Sequence, residues 1–407
     1  MRVTKLVVFL AAVVLLHSTR MHAQDFGEFR EQVAALGDLT DAPSTYPATG
    51  FQDDGQIKAI YYDALPWKGN PTRVFAWIGI PSNGDADVPG VVLVHGGGGT
   101  AFKEWVQKWN DIGYAAISIA VEGQTDVRLS KDPPKGWKRH PMGGPPRDGI
   151  YGDSAEPLAD QWMYHAVANT VLANSLLRSQ AGVDASKVGL MGISWGGVIT
   201  STVIGIDNRF AFAIPTYGCG DLADVPNQYG RALGDNLMYR NVWDPMLRMS
   251  NATMPTLWLS WTEDTHFPLD AQHNCYDAAP APHMVVLRPK MRHSHAAGWN
   301  PPDSYAFAQS VIEQGTVWCR QTEVSVDQDR VRVRFSTSKP IDSAVLTATP
   351  DTGMTNERTW TDHKTTIMDQ ADGTVTVQAD LPKDTTAWFI NLKSGDLYAS
   401  SDYQQTQ

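Results

Sequence analysis

Up to about residue 320, apolar and polar positions in this chain mark short strands alternating with longer helices; beyond it they mark strands alone. Over 61–82 the two kinds of residue alternate, as in Arg73-Val74-Phe75-Ala76-Trp77-Ile78-Gly79-Ile80. Lys68-Gly69-Asn70-Pro71 interrupts that stretch, so two paired strands joined by a turn are predicted. Pro89-Gly90 then leads into Val91-Val92-Leu93-Val94, a continuous run that suits a central parallel strand covered on both faces. The pattern predicts a helix over 101–112, a strand over 115–119 and a long amphipathic helix over 161–179. Further buried strands are expected over 187–191, 210–217, 256–261 and 284–288. Strands that alternate with helices predict an α/β fold with a doubly wound, mostly parallel sheet.

Two regions break this rhythm. Residues 122–157 are rich in Gly, Pro, Arg and Asp and include Trp137 and Tyr151. A loop of that length inside a compact domain is expected to serve function. After Cys319, Val331-Arg332-Val333-Arg334-Phe335, Val345-Leu346-Thr347-Ala348, Val375-Thr376-Val377 and Trp388-Phe389-Ile390 alternate with turn residues and show no helical period. They predict a small all-β sandwich.

The first residues have a different character. Met1-Arg2-Val3-Thr4-Lys5 is basic, 6–16 is apolar but too short to span a bilayer, and Met21-His22-Ala23 ends with a plausible cleavage site. This is the pattern of a secretory signal peptide, so a secreted or periplasmic protein is expected. Arg20 beside the cut leaves the cleavage position open. The expected division is therefore a signal peptide at 1–23, a catalytic α/β domain at 24–320 and a β-sandwich domain at 321–407. No later segment is long and apolar enough to cross a membrane.

Charge narrows the list of partners. The chain of 407 residues has a formal charge of −11, and loss of Arg2, Lys5 and Arg20 with the signal takes it to −14. An acidic chain without a basic cluster predicts neither nucleic acid nor anionic lipid as partner. An exported protein can pair two of Cys219, Cys275 and Cys319 in a disulfide, but the sequence does not choose which. Nothing in it speaks to oligomeric state.

Candidate chemistry centres on Gly192-Ile193-Ser194-Trp195-Gly196. This Gly-x-Ser-x-Gly pattern follows the predicted strand 187–191 and precedes a predicted helix. A serine on such a turn is exposed, and the first N–H groups of the new helix lie unpaired beside it. It needs a base, and the base an orienting acid, in the chain order Ser, Asp or Glu, His. Asp264, in the loop behind strand 256–261, is the acid candidate, with Asp270 and Glu263 in reserve. His293, behind the last strand, is the base candidate, with His295 in reserve. His293 and His295 could also be half of a zinc site, but no convincing third and fourth ligands accompany them, so no metal is predicted. Val94-His95-Gly96-Gly97-Gly98-Gly99-Thr100 offers an oxyanion loop, with Gly97 N–H as one donor and Trp195 N–H as the second. A phosphate cradle is excluded because the P-loop lysine is missing.

With these residues in order, the chain over about 53–319 resembles an α/β-hydrolase. More narrowly it is similar to secreted acetyl xylan esterase-like and dienelactone hydrolase-like proteins. Gln161-Trp162-Met163-Tyr164-His165-Ala166-Val167-Ala168 and Met291-Arg292-His293-Ser294-His295 add to the likeness. The resemblance implies a cofactor-free serine esterase acting on carboxylic esters, often acetyl groups on polysaccharides. Arg292, where such proteins more often have a small residue, leaves the choice between His293 and His295 open. Trp137, Trp195, Trp261 and Trp299 cluster around the motifs and suit a sugar substrate, although each could equally be packing. Two other readings are a serine peptidase of the X-prolyl type, which also carries a C-terminal β domain, and a non-catalytic carbohydrate-binding protein.

Overall fold

The computed structural model describes residues 26–406 apart from 83, 85, 131–135 and 372; the expected signal peptide lies outside the described residues. The sheet starts with β1 (Thr45–Pro47), β2 (Ile57–Trp67), β3 (Asn70–Gly79), β4 (Val88–Val94) and β5 (Ala115–Ile119). A separate hairpin, β6 (Gln124–Arg128) and β7 (Trp137–Arg139), lies in the long loop. β8 (Val183–Ile193), β9 (Ala213–Thr216), β10 (Thr256–Ser260) and β11 (His283–Leu287) follow. From β5 through β4, β8, β9 and β10 to β11 every neighbouring pair is parallel, and β1, β2 and β3 add an antiparallel edge. The strand order is β1-β2-β3-β5-β4-β8-β9-β10-β11.

Helices cover both faces. They include α1 (26–34), α2 (Lys103–Asn110), α3 (Trp162–Arg178), α4 (Trp195–Val203), α5 (Gln228–Leu233), α6 (Leu269–Ala278), α7 (His295–Trp299) and α8 (Pro302–Gln314). β4 shows why its apolar run is continuous. Val92 and Val94 enter one core while Val91 and Leu93 enter the other, so no face is left for polar residues.

One helix differs from expectation. The amphipathic pattern over 161–179 implied a wet face, yet α3 is buried along most of its length on all sides. It is wedged between the sheet and the N-terminal segment, where Ser175 Oγ donates to Leu39 O at 2.6 Å. Part of its polar surface is paired: Asn174 Nδ2 donates to Asp207 Oδ2 at 2.9 Å, Thr170 Oγ1 donates to Ala166 O at 2.8 Å and the Asn169 backbone carbonyl accepts Tyr62 OH at 2.8 Å, while Oδ1 of Asn169 and of Asn174 has no partner among the described residues. Satisfied polar groups of this kind can be buried at modest cost.

The C-terminal region is all-β and forms two layers. One is a four-stranded sheet in the order β12 (Cys319–Asp327), β13 (Arg330–Thr337), β17 (Thr374–Asp380), β16 (Thr366–Ala371). The other consists of β15 (Thr361–Lys364), β14 (Ser343–Thr349), β18 (Ala387–Ser394) and β19 (Leu397–Ser400), with β20 (Gln404–Gln405) beside β18. This second layer continues the main sheet: β19 pairs antiparallel with β11 through Val285 and Ser400. Val331, Val333, Phe335, Val375 and Val377 share a core with Leu346, Trp388 and Ile390 of the opposite layer. Thus the sandwich shares one layer with the main sheet. The seam is polar as well as continuous. Leu287 N–H donates to Ser400 Oγ (2.8 Å), Asn391 Nδ2 to Leu287 O (3.0 Å), and Tyr398 N–H to Asp303 Oδ1 (2.7 Å). Arg288 pairs with Asp303 at 2.6 Å.

Candidate active site

Strand β8 and helix α4 meet at Ser194. Its backbone has φ 58° and ψ −116°, a region that side-chain-bearing residues seldom occupy and that is kept only where the surroundings enforce it. Ser194 N–H donates to Thr216 O at 3.0 Å, and Val198 N–H to Ser194 O at 3.0 Å, which fix both sides of the turn. The flanking glycines are required by contact. A Cβ on Gly192 would overlap the Gly196 carbonyl, and one on Gly196 would overlap Val94 O.

Asp264 and His293 arrive from the loops behind β10 and β11. Ser194 Oγ–H donates to His293 Nε2 at 2.9 Å, and His293 Nδ1–H donates to Asp264 Oδ2 at 2.7 Å. The other Asp264 oxygen accepts N–H groups of His266 and Phe267 at 2.8 and 2.9 Å, so the buried carboxylate is held on three donors. Rings complete the setting: Tyr217 and His266 lie 4.3 and 4.5 Å from the His293 ring centre. Tyr217 OH donates to Ser294 O and pins the base loop. Burial, and then the neighbouring His293, lower the His266 pKa.

His295 has a different employment. Its Nε2 accepts Gly96 N–H at 3.0 Å, and its ring packs against Phe102. Burial, followed by the nearby His95, lowers its pKa to about 4, so it is neutral at ordinary pH. The two Nε2 atoms have different partners, Ser194 Oγ for His293 and Gly96 N–H for His295. A different trio, Asp264, His266 and His293, brings its ligand atoms within 4.8 Å of one another. A metal there would have to displace the Asp264–His293 hydrogen bond.

The reserve acids are elsewhere. Asp270 pairs with Arg358 at 2.9 Å and accepts Tyr403 OH at 2.8 Å, tying α6 to the C-terminal strands. Glu263 is exposed and lines a cavity of about 370 Å³ in the seam.

Gly97 lies against Trp195: the position a Gly97 Cβ would take is 2.9 Å from Trp195 Cδ1. The two predicted oxyanion donors are therefore neighbours, and Trp195, at the first position of α4, has no acceptor within its own helix. The loop around Gly97 is cross-braced. His95 Nδ1–H donates to Gly96 O (2.7 Å), while His95 Nε2 accepts Val121 N–H (3.1 Å). Burial holds the His95 pKa at about 4.

The long loop provides the remaining braces. Trp137 Nε1 donates to Gly98 O (2.9 Å), Gln124 Nε2 to Gly99 O (3.0 Å), and Thr100 Oγ1 to Thr125 O (3.0 Å). Arg147 lies over the Trp195 ring at 5.1 Å. Gln124, Arg147, Tyr217 and His266 were not nominated from sequence. Only the length and composition of 122–157 pointed toward two of them.

What this geometry can perform is general-base activation of a serine hydroxyl. Comparison with known proteins agrees on the fold. Acetyl xylan esterase from Paenibacillus sp. R4 is 20% identical, covers 66% of this chain and 89% of that chain, and has a TM-score of 0.50. Acetyl xylan esterase 1 from Thermoanaerobacterium sp. JW/SL YS485 is 16% identical, with 66% and 88% coverage and a TM-score of 0.51. A search of curated proteins finds no match. The acetyl xylan esterase (AXE1) family model matches residues 9–222, more than half of the chain, including the glycine loop at 95–99 and the Ser194 turn but not Asp264 or His293. An α/β-hydrolase sheet, a serine elbow and this match together mean that the chain belongs to the acetyl xylan esterase (AXE1) family and is a carboxylic ester hydrolase of the serine type.

Proposed function

We propose that this protein is an exported esterase that removes acetyl groups from a polysaccharide such as xylan. The observation that carries the reading is the unbroken hydrogen-bond chain from Ser194 through His293 to Asp264. His293 Nε2 takes the Ser194 proton as Oγ attacks the ester carbonyl. Asp264 holds the imidazole in the correct tautomer and stabilises its cation. N–H groups of Gly97 and Trp195 receive the oxyanion. Collapse passes the proton from His293 to the leaving sugar hydroxyl and leaves an acetyl group on Ser194. Water, activated by His293, then releases acetate. No cofactor enters the cycle.

The family supports ester hydrolysis, and the signal-like N-terminus supports export. Residues 321–407 act in this reading as a support for the catalytic domain rather than as part of the reaction centre. The test compares wild-type protein with Ser194→Ala on p-nitrophenyl acetate, acetylated xylan and a dipeptide anilide, with fluorophosphonate labelling of Ser194. Acetate release from xylan that Ser194→Ala abolishes is expected. Turnover of the anilide alone would replace the reading by a peptidase, and no labelling would remove a serine nucleophile altogether.

A further inference from the structure

Arg147 brings a partly free cation to the oxyanion loop. Its Nε pairs with Glu122 at 3.2 Å and its Nη1 donates to Gly149 O. Nη2 has no acceptor among the described residues. It lies 2.9 Å from the position that a Gly97 Cβ would occupy. The corresponding position on Gly96 is 2.9 Å from Ser194 Cβ. With adjacent Cα atoms about 3.8 Å apart, Nη2 is at most about 13 Å from the Ser194 Cβ. The guanidinium is rigid in this setting: Glu122 and Gly149 hold two nitrogens, and Trp195 and Trp162 lie under it at 5.1 and 5.9 Å.

A second cation flanks the same loop. Arg128 lies 4.2 Å over the Trp137 ring, and Trp137 is the residue bonded to Gly98 O. Arg128 is exposed and has no acidic partner among the described residues. Nor has Lys138, also exposed on β7. Arg128 and Lys138 thus stand on the 122–157 loop, whose six acidic and six basic residues balance, without an acidic partner among the described residues. Among the described residues the carboxylate bonded to Arg147 is Glu122, and it engages only Nε. A fixed guanidinium with a free N–H arm is a carboxylate- or sulfate-binding group.

We propose that Arg147 is a specificity residue that binds an anionic group on the sugar carrying the ester, a uronate carboxylate or a sulfate, with Arg128 and Lys138 extending the same field. The inference rests on the esterase reading above and names the substrate class for that site. Neutral acetylated sugars react at the same serine but lack this contact.

The test uses the full-length mature enzyme and matched acetyl esters of methyl glucoside, methyl glucuronoside and a sulfated methyl glucoside. The quantity read is the acidic-to-neutral ratio of kcat/KM. In wild type it is expected to be about ten- to a hundredfold above one for the favoured anion, the range of a charge-assisted hydrogen bond, and to shrink with added salt. Arg147→Gln should bring the ratio towards one mainly through KM, and Arg147→Lys should keep part of it. Preference for the uronate or for the sulfated sugar identifies which anion is read. A wild-type ratio at or below one overturns the proposal, and so does a ratio that Arg147→Gln leaves unchanged. Failure of the esterase reading is separate, because then none of the three esters turns over. In that case, weaker binding of methyl glucuronoside by Arg147→Gln than by wild type, measured by calorimetry, still supports anion recognition, and equal binding refutes it.

Discussion

Replacing His293 and His295 by alanine, one at a time, separates the two histidines that the sequence left in competition. The arrangement assigns them different losses. His293 bonds both Ser194 Oγ and Asp264, so its removal takes away the general base and the acid's only link to the serine. Loss of such a member costs on the order of 10⁶ in rate. His295 accepts one backbone N–H, that of Gly96, next to the proposed oxyanion donor. Leaving that N–H unpaired costs about 1–3 kcal/mol. If all of it is felt in the transition state, the rate falls about 5- to 150-fold. The two variants should therefore differ by roughly four to five orders of magnitude. Kinetics with p-nitrophenyl acetate near pH 7.5, with circular dichroism to verify folding, measure both. His295→Ala should lower kcat with little change in KM, because the loop it braces is asked to bind the oxyanion rather than the ground state. Equal losses in two folded variants, or His293→Ala within tenfold of wild type, would refute the reasoning and move the base to His295.

Further outcomes follow from other contacts. Asp264→Asn should cost about 10⁴ in kcat by fixing the wrong tautomer, whereas Asp270→Asn should mainly lower the melting temperature, since Asp270 bonds Arg358 and Tyr403; a larger kinetic loss at Asp270 would reverse the assignment. His95, His140 and His295 all have pKa values lowered to about 4. The unfolded chain, titrating near 6.5, then binds protons first, so stability present above pH 6.5 is lost as the pH falls towards 4, by about 3 kcal/mol for the fully buried His95 alone. A melting temperature independent of pH between 7 and 4.5 would contradict this. Cys219 and Cys275 lie in side-chain contact and Cys319 is buried apart from them. A denatured sample of exported, oxidised protein should therefore show one free thiol that peptide mapping assigns to Cys319, and a disulfide at Cys319 would be the opposing result. A chain ending at residue 320 exposes the β11 edge and strips Asp270 of Arg358 and Tyr403 and Asp303 of the Tyr398 N–H, so it should aggregate or melt earlier; a soluble truncation with an unchanged melting temperature would mean that the shared sheet carries little stability.

Much of the site was readable because its requirements are local. The elbow needs a strand, a positive-φ serine and glycines at fixed offsets, and all are visible in six or seven consecutive residues. Asp264 and His293 could be nominated because the loops behind late parallel strands open on the same sheet edge as the serine. What one sequence could not separate was Asp264 from Asp270, or His293 from His295. Members of each pair are a few residues apart, and the difference lies in which distant element receives the side chain. Arg358 and Tyr403 capture Asp270; Gly96 captures His295.

Short-range pattern determined the alternation of buried strands and helices, the change to β structure after Cys319, and the serine elbow, because each is encoded in side-chain period and backbone freedom over a few residues. The tertiary structure alone decided that α3 is dry on nearly all sides, that the C-terminal sandwich borrows a layer from the hydrolase sheet, that Cys219 faces Cys275, and that Arg147 stands at the oxyanion loop. Those outcomes depend on pairings between residues dozens to more than a hundred positions apart. No local periodicity specifies which strand edge, carboxylate or thiol will be waiting on the other side.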